Sequence, residues 1–264
     1  YGYINRKGEI VVEPKYIETH YFSDGFIKVI KEGEGVINTK EEIILPRKYQ
    51  YVYTYSESEE LFIVANDNKY GYINLQGEVI IPFEYELAHE FKNGVARVKK
   101  NGRWGLIDTK GNIIASFDYF EIGSFSDGLT SANKEGKYGV INTSGEVVIP
   151  FKYNFIDSFS EGLALISLDK ECGYINMDDE IVVPLEYDYG LSFSEELAEV
   201  QKDDKYGYIN KKGKVIIPFV YDSVKKVKDN IIAKKNQKTG LINLENEAII
   251  PFEYDDLSNG IKIN

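Results

Sequence analysis

Apolar positions along the chain gather in short runs, and the runs are separated by glycine-bearing polar turns. The clearest copy is 101–117, NGRWGLIDTKGNIIASF. It predicts a strand over 103–108, a tight turn through Lys110-Gly111 and a second strand over 112–117. A short apolar run bounded by turn residues marks a strand, and a polar residue followed by glycine supplies the positive φ of a short hairpin. The core of the pattern is aromatic–Gly–apolar–Ile–Asp/Asn. It recurs at Gly2, Gly35, Gly71, Gly105, Gly139, Gly173, Gly207 and Gly240, at spacings of 33, 36, 34, 34, 34, 34 and 33 residues. Eight copies at one period mean a tandem array of one small unit. After each unit comes a polar connection, a Phe-Ser-acid-Gly turn in several copies, and a third apolar run such as 26–30 or 95–98.

Residue types at fixed places carry physical expectations. A glycine inside a strand marks a bulge or the close approach of another backbone or ring. Turn glycines 8, 77, 111, 145 and 213 give way to Glu41 in the second copy and to Asp179 and Asn246 in two others, and Asp and Asn are next best at the same conformation. On these grounds Gly139→Val is expected to be far more damaging than Gly145→Asn. Runs such as Val79-Ile80-Ile81 are apolar at successive positions, which predicts a strand covered on both faces. All seven prolines follow these runs, as expected where pairing ends or at a sheet edge. A tyrosine stands fourteen residues after every anchor glycine (16, 49, 85, 119, 153, 187, 221, 254), placed to bury its ring against the next repeat.

The motifs Gly-Arg-Trp-Gly-Leu-Ile-Asp at 102–108, Val-Val-Ile-Pro at 147–150 and Phe-Ser-Glu-Gly-Leu-Ala at 159–164 recur in fixed order over essentially the whole chain. This pattern resembles the WG-repeat, or KWG-repeat, family of bacterial proteins. The departure is that Trp occurs once and Tyr usually replaces it. The resemblance implies a β-rich interaction module, often in surface or multidomain bacterial proteins. It brings no catalytic residues, and it favours a secreted or cell-surface setting over a cytoplasmic one.

The predicted fold is therefore all-β: one repeat domain over 1–264, built of eight tandem three-stranded antiparallel β-meanders of about 34 residues in a superhelical array. A four-stranded propeller blade is a tight fit to that length. A closed, propeller-like ring is the alternative, because the chain opens on a first strand and ends in a third, Ile261–Ile263, that could complete the opening sheet.

Composition changes the picture in a few respects. With 21 Tyr and 14 Phe beside Val and Ile, the chain favours strands. Net charge −12 argues against general nucleic-acid binding, and no apolar run is long enough for a membrane helix. The chain opens with Tyr1 and shows no secretory signal, which reads as a processed or truncated piece. Cys172, the one cysteine, excludes an internal disulfide.

Candidate chemistry is sparse. The residues Tyr70, Trp104, Tyr138 and Tyr206 of the aromatic column could stack on a sugar or a cell-envelope ligand, or could pack repeat on repeat. His20 and His89 share one position and lack further ligands at metal-binding spacing. Asp24, Asp127, Glu161 and Glu195 fit turn chemistry better than calcium ligation. No phosphate loop, dinucleotide fingerprint or nucleophile elbow is present. No metal, cofactor or catalytic residue is expected; a catalytic site would have to come from irregular positions such as Glu34, 51–60 or Cys172. Residues 201–240 carry eleven Lys and four Asp, a net +7 in an acidic chain. Lys225, Lys226 and Lys228 are candidate contacts for an acidic partner, including the acidic first half of another copy, head to tail. The sequence favours a non-catalytic protein-binding or scaffold module, with carbohydrate or envelope-ligand binding through exposed Tyr and Trp as the alternative.

Overall fold

Side-chain amides and carboxylates at the hairpin turns, together with the anchor glycines, set the form of each repeat. The computed structural model describes residues 1–22 and 25–257; every regular element among them is a strand. Asp24 and the expected strand Ile261–Ile263 lie outside the described residues. The strands form eight antiparallel sheets, seven of four strands and one of two, Tyr3–Ile4 with Ile10–Val12. The eight-copy, all-β array is thus present, with one difference from expectation: the meander has four strands, not three. The added first strand lies in the polar connection and is only two residues long in four sheets, as at Leu87–Ala88 and Tyr189–Gly190. Two residues are too few to show alternation.

Residue contacts divide the chain into two compact units. The first comprises Tyr1–Gly128, Ala132–Glu135 and Ile141–Glu146; the second comprises Leu129–Ser131, Gly136–Val140 and Val147–Asn264.

In the first unit the sheet Leu87–Ala88, Val95–Lys100, Arg103–Asp108, Ile113–Tyr119 shows the design. Its second and third strands pair from Val95↔Asp108 to Lys100↔Arg103. Asn101 (φ 51°) and Gly102 (φ 74°) close them, the double positive φ of a two-residue hairpin. At the next turn Asp108 Oδ1 accepts from the amides of Lys110 (2.9 Å) and Asn112 (2.8 Å), and Gly111 takes φ 84°. The Asp/Asn that ends every motif is therefore the turn's own hydrogen-bond acceptor. Asp127 stands at φ 50°, and Glu161 and Glu195 of the second unit at φ 52° and 51°, so these acids occupy left-handed turn positions.

The anchor glycine is required by close approach. A Cβ on Gly105 would lie 2.9 Å from Ala115 O and 2.9 Å from the Phe117 ring. The register explains this: Trp104 opposes Tyr119 while Leu106 opposes Ala115, so the fourth strand carries extra residues and bulges over the glycine. In the second unit the corresponding contacts are 2.5 Å at Gly139 (Ile149 O) and 2.4 Å at Gly207 (Ile217 O). Turn glycines behave differently. A Cβ on Gly111 would rest on Ile81 at 3.4 Å, and one on Gly213 on Val183 at 3.5 Å, both ordinary contacts. Gly145 corrects the sequence reading. Its Cβ would meet Ile114 O at 2.8 Å, so Asn is not a mild change there, because the turn packs on backbone of the preceding repeat.

The apolar runs also differ from expectation. Only their third residue is covered (Ile81, Ile149, Val183 and Ile217 are buried), whereas the first residue stands open, as at Val79 (50%), Val147 (52%) and Ile181 (55%). The cause is again the bulge. Val79 opposes Ile73 and Ile81 opposes Tyr72, one step of the third strand against two of the fourth, so Ile80 is left over and alternation breaks. The fourth strand runs on through its proline to the tyrosine, as Val79–Tyr85 and Val215–Tyr221, and forms the edge of its sheet.

Those tyrosines are buried at seven of eight places and 46% exposed at Tyr254. They meet the phenylalanine of the following repeat: Tyr85 stacks on Phe117 (6.1 Å between centroids) in the first unit, and in the second Tyr221 stacks on Phe252 (5.8 Å) while Tyr187 meets Phe219 at a tilt (5.9 Å). Where Asp or Asn replaces the turn glycine, the tyrosine hydroxyl gains an acceptor, Tyr153 donating to Asp179 and Tyr221 to Asn246, both at 2.6 Å. A second set of rings, Tyr72 and Tyr174, is fully buried. Tyr72 donates to His89 O (2.7 Å) and Tyr174 to Leu191 O (2.6 Å), each joining its sheet to the next.

Candidate binding surfaces

The column residue sits one place before the anchor glycine on the third strand, partly covered by neighbouring strands. In the first unit Tyr70 is half-buried and donates its hydroxyl to that of Tyr53 at 2.9 Å, with ring centroids 5.0 Å apart. Tyr51 adds a third ring at 5.8 Å from Tyr53. Tyr51 and Tyr53 are 46% and 45% exposed, so the three rings form an open aromatic ledge. Loss of hydration around the Tyr53 hydroxyl, then its bond with Tyr70, push that phenol up to about 12. Trp104 stands beside His89 (5.4 Å), with the Lys99 ammonium 5.8 Å from its ring. Burial, then the nearby Arg97 charge, hold His89 below the usual imidazole range. His20, by contrast, is exposed and lies 2.8 Å from Glu18.

In the second unit Tyr138 lies 6.1 Å from Phe155, and Tyr206 packs on the core around Tyr221 and Val224. Tyr70 thus meets a ring of its own sheet, whereas Tyr138 meets Phe155 of the following sheet and Tyr206 packs on both its own and the following sheet. Tyr70 joins the exposed rings of Tyr51 and Tyr53, and Tyr138 meets the exposed ring of Phe155.

Each unit also holds a cavity at the same place in the repeat. In the first, about 270 Å³ is lined by His89, Glu90, Lys92, Val95, Arg97, Ser124 and Phe125. In the second, about 310 Å³ is lined by residues that include Leu191, Glu195, Glu199, Tyr208 and Lys226. Arg97 and Glu199 are equivalent, opposing Leu106 and Tyr208 on their third strands. Burial holds the Glu199 carboxyl above the usual range, opposed by the Tyr208 hydroxyl at 3.4 Å. The Tyr208 hydroxyl also accepts from the Lys226 amide at 3.0 Å.

The predicted lysine contacts divide. Lys226 is half-buried and its ammonium pairs with Glu195, whereas Lys225 and Lys228 are exposed. Other lysines of this stretch are also paired: Lys205 with Asp222 (2.5 Å), Lys211 with Glu196 (2.8 Å) and Lys238 with Asp255 (2.7 Å).

The irregular positions have structural partners. Glu34, buried in the column, accepts from the Val52 amide at 2.6 Å and faces Lys28 at 3.3 Å. Glu59 accepts from Ser56, Ser58 and the Gly94 amide. Cys172 is half-buried opposite Tyr187, and burial raises its thiol. Among the described residues no three His, Cys, Asp or Glu side chains group as a metal site would need. Sequence reasoning missed Tyr51, Tyr53 and Arg97. Tyr53 and His89 fall at matching places in their repeats, which was a signal that a ring from this position meets the column.

Comparisons with known proteins separate family from function. No curated protein matches the chain. Among solved structures, a eukaryotic initiation factor aligns with TM-score 0.44 at 9% identity, covering 94% of this chain and 81% of that one. PorZ, a bacterial surface component of the type-IX secretion system of Porphyromonas gingivalis, aligns with TM-score 0.35 at 10% identity, over 90% of this chain and 38% of that one. The dihydro-heme d1 dehydrogenase NirN gives 0.40 at 12% identity, over 93% and 69%. None reaches a TM-score of 0.5, and nothing about function is carried over from them. The model of the WG containing repeat matches eight consecutive segments, 1–34, 35–70, 70–104, 104–138, 138–172, 173–206, 206–238 and 240–259. Matched from end to end, and with the glycine and turn geometry that those segments share, the chain belongs to the WG containing repeat family.

Proposed function

We propose that the chain is a non-catalytic protein-binding module whose edge strands present paired aliphatic side chains to a partner. The observation that carries this reading is the open pair at the start of the fourth strands: Val79 and Ile80 in the first unit, Val147 with Val148 and Ile181 with Val182 in the second. Apolar side chains left open at the same place in successive repeats are a recurrent mark of association surfaces. Proline within most of these edges removes a backbone donor, so the partner meets side chains and does not extend the sheet. Exposed Lys225 and Lys228 add an electrostatic contact for an acidic partner, which speeds encounter and is screened by salt. The secreted or cell-surface setting implied by the family resemblance accords with this role. A photo-crosslinking residue at Val148 or Ile181 is expected to give a discrete protein adduct in cells, and a control at buried Ile149 none. No adduct at either exposed position would count against the reading.

A second reading rests on the ledge of Tyr51, Tyr53 and Tyr70. Exposed rings with a hydroxyl pair between them suit stacking on a sugar ring. Binding on a glycan array that disappears with Tyr53→Ala would favour it.

A further inference from the structure

The cavity of the first unit holds a cation that the protein does not neutralise. The inward position of the second strand is occupied by Lys28, Ile63 and Arg97 in successive sheets of this unit, opposite Val36, Tyr72 and Leu106. At Lys28 the charge is met by Glu34 at 3.3 Å. At Ile63 the place is apolar and buried. Arg97 has neither solution. Its guanidinium donates to two neutral acceptors, Ile122 O at 2.6 Å and Ser124 Oγ at 3.4 Å. Among the described residues no carboxylate lies within ion-pair distance of it; Glu121 acts on it only from farther away. Two of its five N–H groups are used and three are not. A partly buried cation without a counter-charge is costly to hold. His89 and Lys92 line the same space, with Glu90 the one acid there, and Phe125 supplies an apolar wall.

We propose that this cavity binds a small molecule bearing one carboxylate group, held by the free edge of the Arg97 guanidinium with its apolar body against Phe125. A planar carboxylate matches the guanidinium fork, which can give it two parallel hydrogen bonds. The volume, about 270 Å³, limits the ligand to roughly the size of an aryl or short alkyl acid. The site is separate from the aliphatic pairs and does not depend on their role.

The single tryptophan offers a reporter, since Trp104 lies 5.4 Å from His89 on the cavity wall. Titration with sodium phenylacetate at constant ionic strength is expected to give a saturable change in Trp104 emission. The neutral isostere phenylacetamide is expected to give none. Arg97→Gln should raise the apparent Kd at least tenfold, and Arg97→Lys by less. No saturable response, equal responses to acid and amide, or an Arg97→Gln variant that binds like the wild type would each overturn the proposal. Because Arg97 also holds Ile122 O, amide shift mapping of the unaltered protein gives a variant-free reading. Shifts centred on Lys92, Ser124 and Phe125 support the site, and shifts centred elsewhere refute it.

Discussion

Replacing Gly207 with alanine adds a single methyl group at the most crowded point of its sheet. That Cβ would lie 2.4 Å from Ile217 O and 2.7 Å from the Phe219 ring. Carbon–oxygen contacts settle at roughly 3.3 Å, so the fourth strand must withdraw by about 0.9 Å. The oxygen belongs to backbone, at a residue paired with Tyr208, so no rotamer change relieves it. Overpacking of this kind costs about 3 kcal/mol, at the upper end of its usual range. Weakened ladder hydrogen bonds add about 1 kcal/mol, and lower unfolded-state entropy offsets a similar amount. The net, about 3 kcal/mol, corresponds to a fall in Tm of roughly 6–12 °C. Gly213→Asn is the paired control in the same unit. Its Cβ would touch the Val183 side chain at 3.5 Å, and Asn adopts φ near +74° more readily than most residues. Its stability is expected to stay within about 1 kcal/mol of the parent. Thermal and urea unfolding followed by circular dichroism measures both. Coincident midpoints for the two variants would remove the close-approach account of the anchor glycine.

Three further outcomes follow from particular contacts. Tyr72→Phe removes the donor to His89 O without changing the ring's volume, and is expected to cost about 1–2 kcal/mol; a urea midpoint equal to that of the parent would contradict it. Burial raises the Glu199 carboxyl in the folded state, so its favourable contribution is complete below the unfolded carboxylate value and fades as pH rises through the raised one. The Tm of Glu199→Gln relative to the parent should therefore climb as pH rises above about 4, and a difference that stays flat through that rise would contradict it. Lys225→Glu with Lys228→Glu should slow association with an acidic partner, or self-association, at low ionic strength while Tm holds; the unaltered Lys226 keeps its pairing with Glu195. Sedimentation that is monomeric for parent and variant alike at low salt would exclude the head-to-tail form.

Much of the fold was legible in the sequence because the turns are written in residue types. Glycine, Asp179 and Asn246 mark the left-handed positions, and the motif's Asp or Asn accepts the turn amides as at Asp108. Local chemistry of this sort reads directly from order along the chain. The register was not legible. The residues that bulge on the fourth strand look like ordinary members of an apolar run, so Val79 and Ile80 read as core and are in fact open. Tyr53 was hidden because the second repeat departs from the others, and 51–60 read as irregular positions where the strand Tyr51–Ser56 stands. The lack of a counter-charge for Arg97 depends on what lies across the next sheet at Ile122, and the pairing of Lys226 on Glu195, 31 residues away. Neither relation has a local sequence signature.

The central functional claim is that the aliphatic pairs serve association and not the core. The direct test replaces those of the second unit together, Val147, Val148, Ile181 and Val182 each to Thr, which keeps the branched shape and β-propensity while adding a hydroxyl. The account predicts a Tm close to that of the parent, together with loss of the protein adduct that a crosslinker at exposed Asp178, a turn residue of the same unit, forms in the parent. A large fall in Tm with the adduct retained would show that these side chains hold the repeats together, and would contradict the claim.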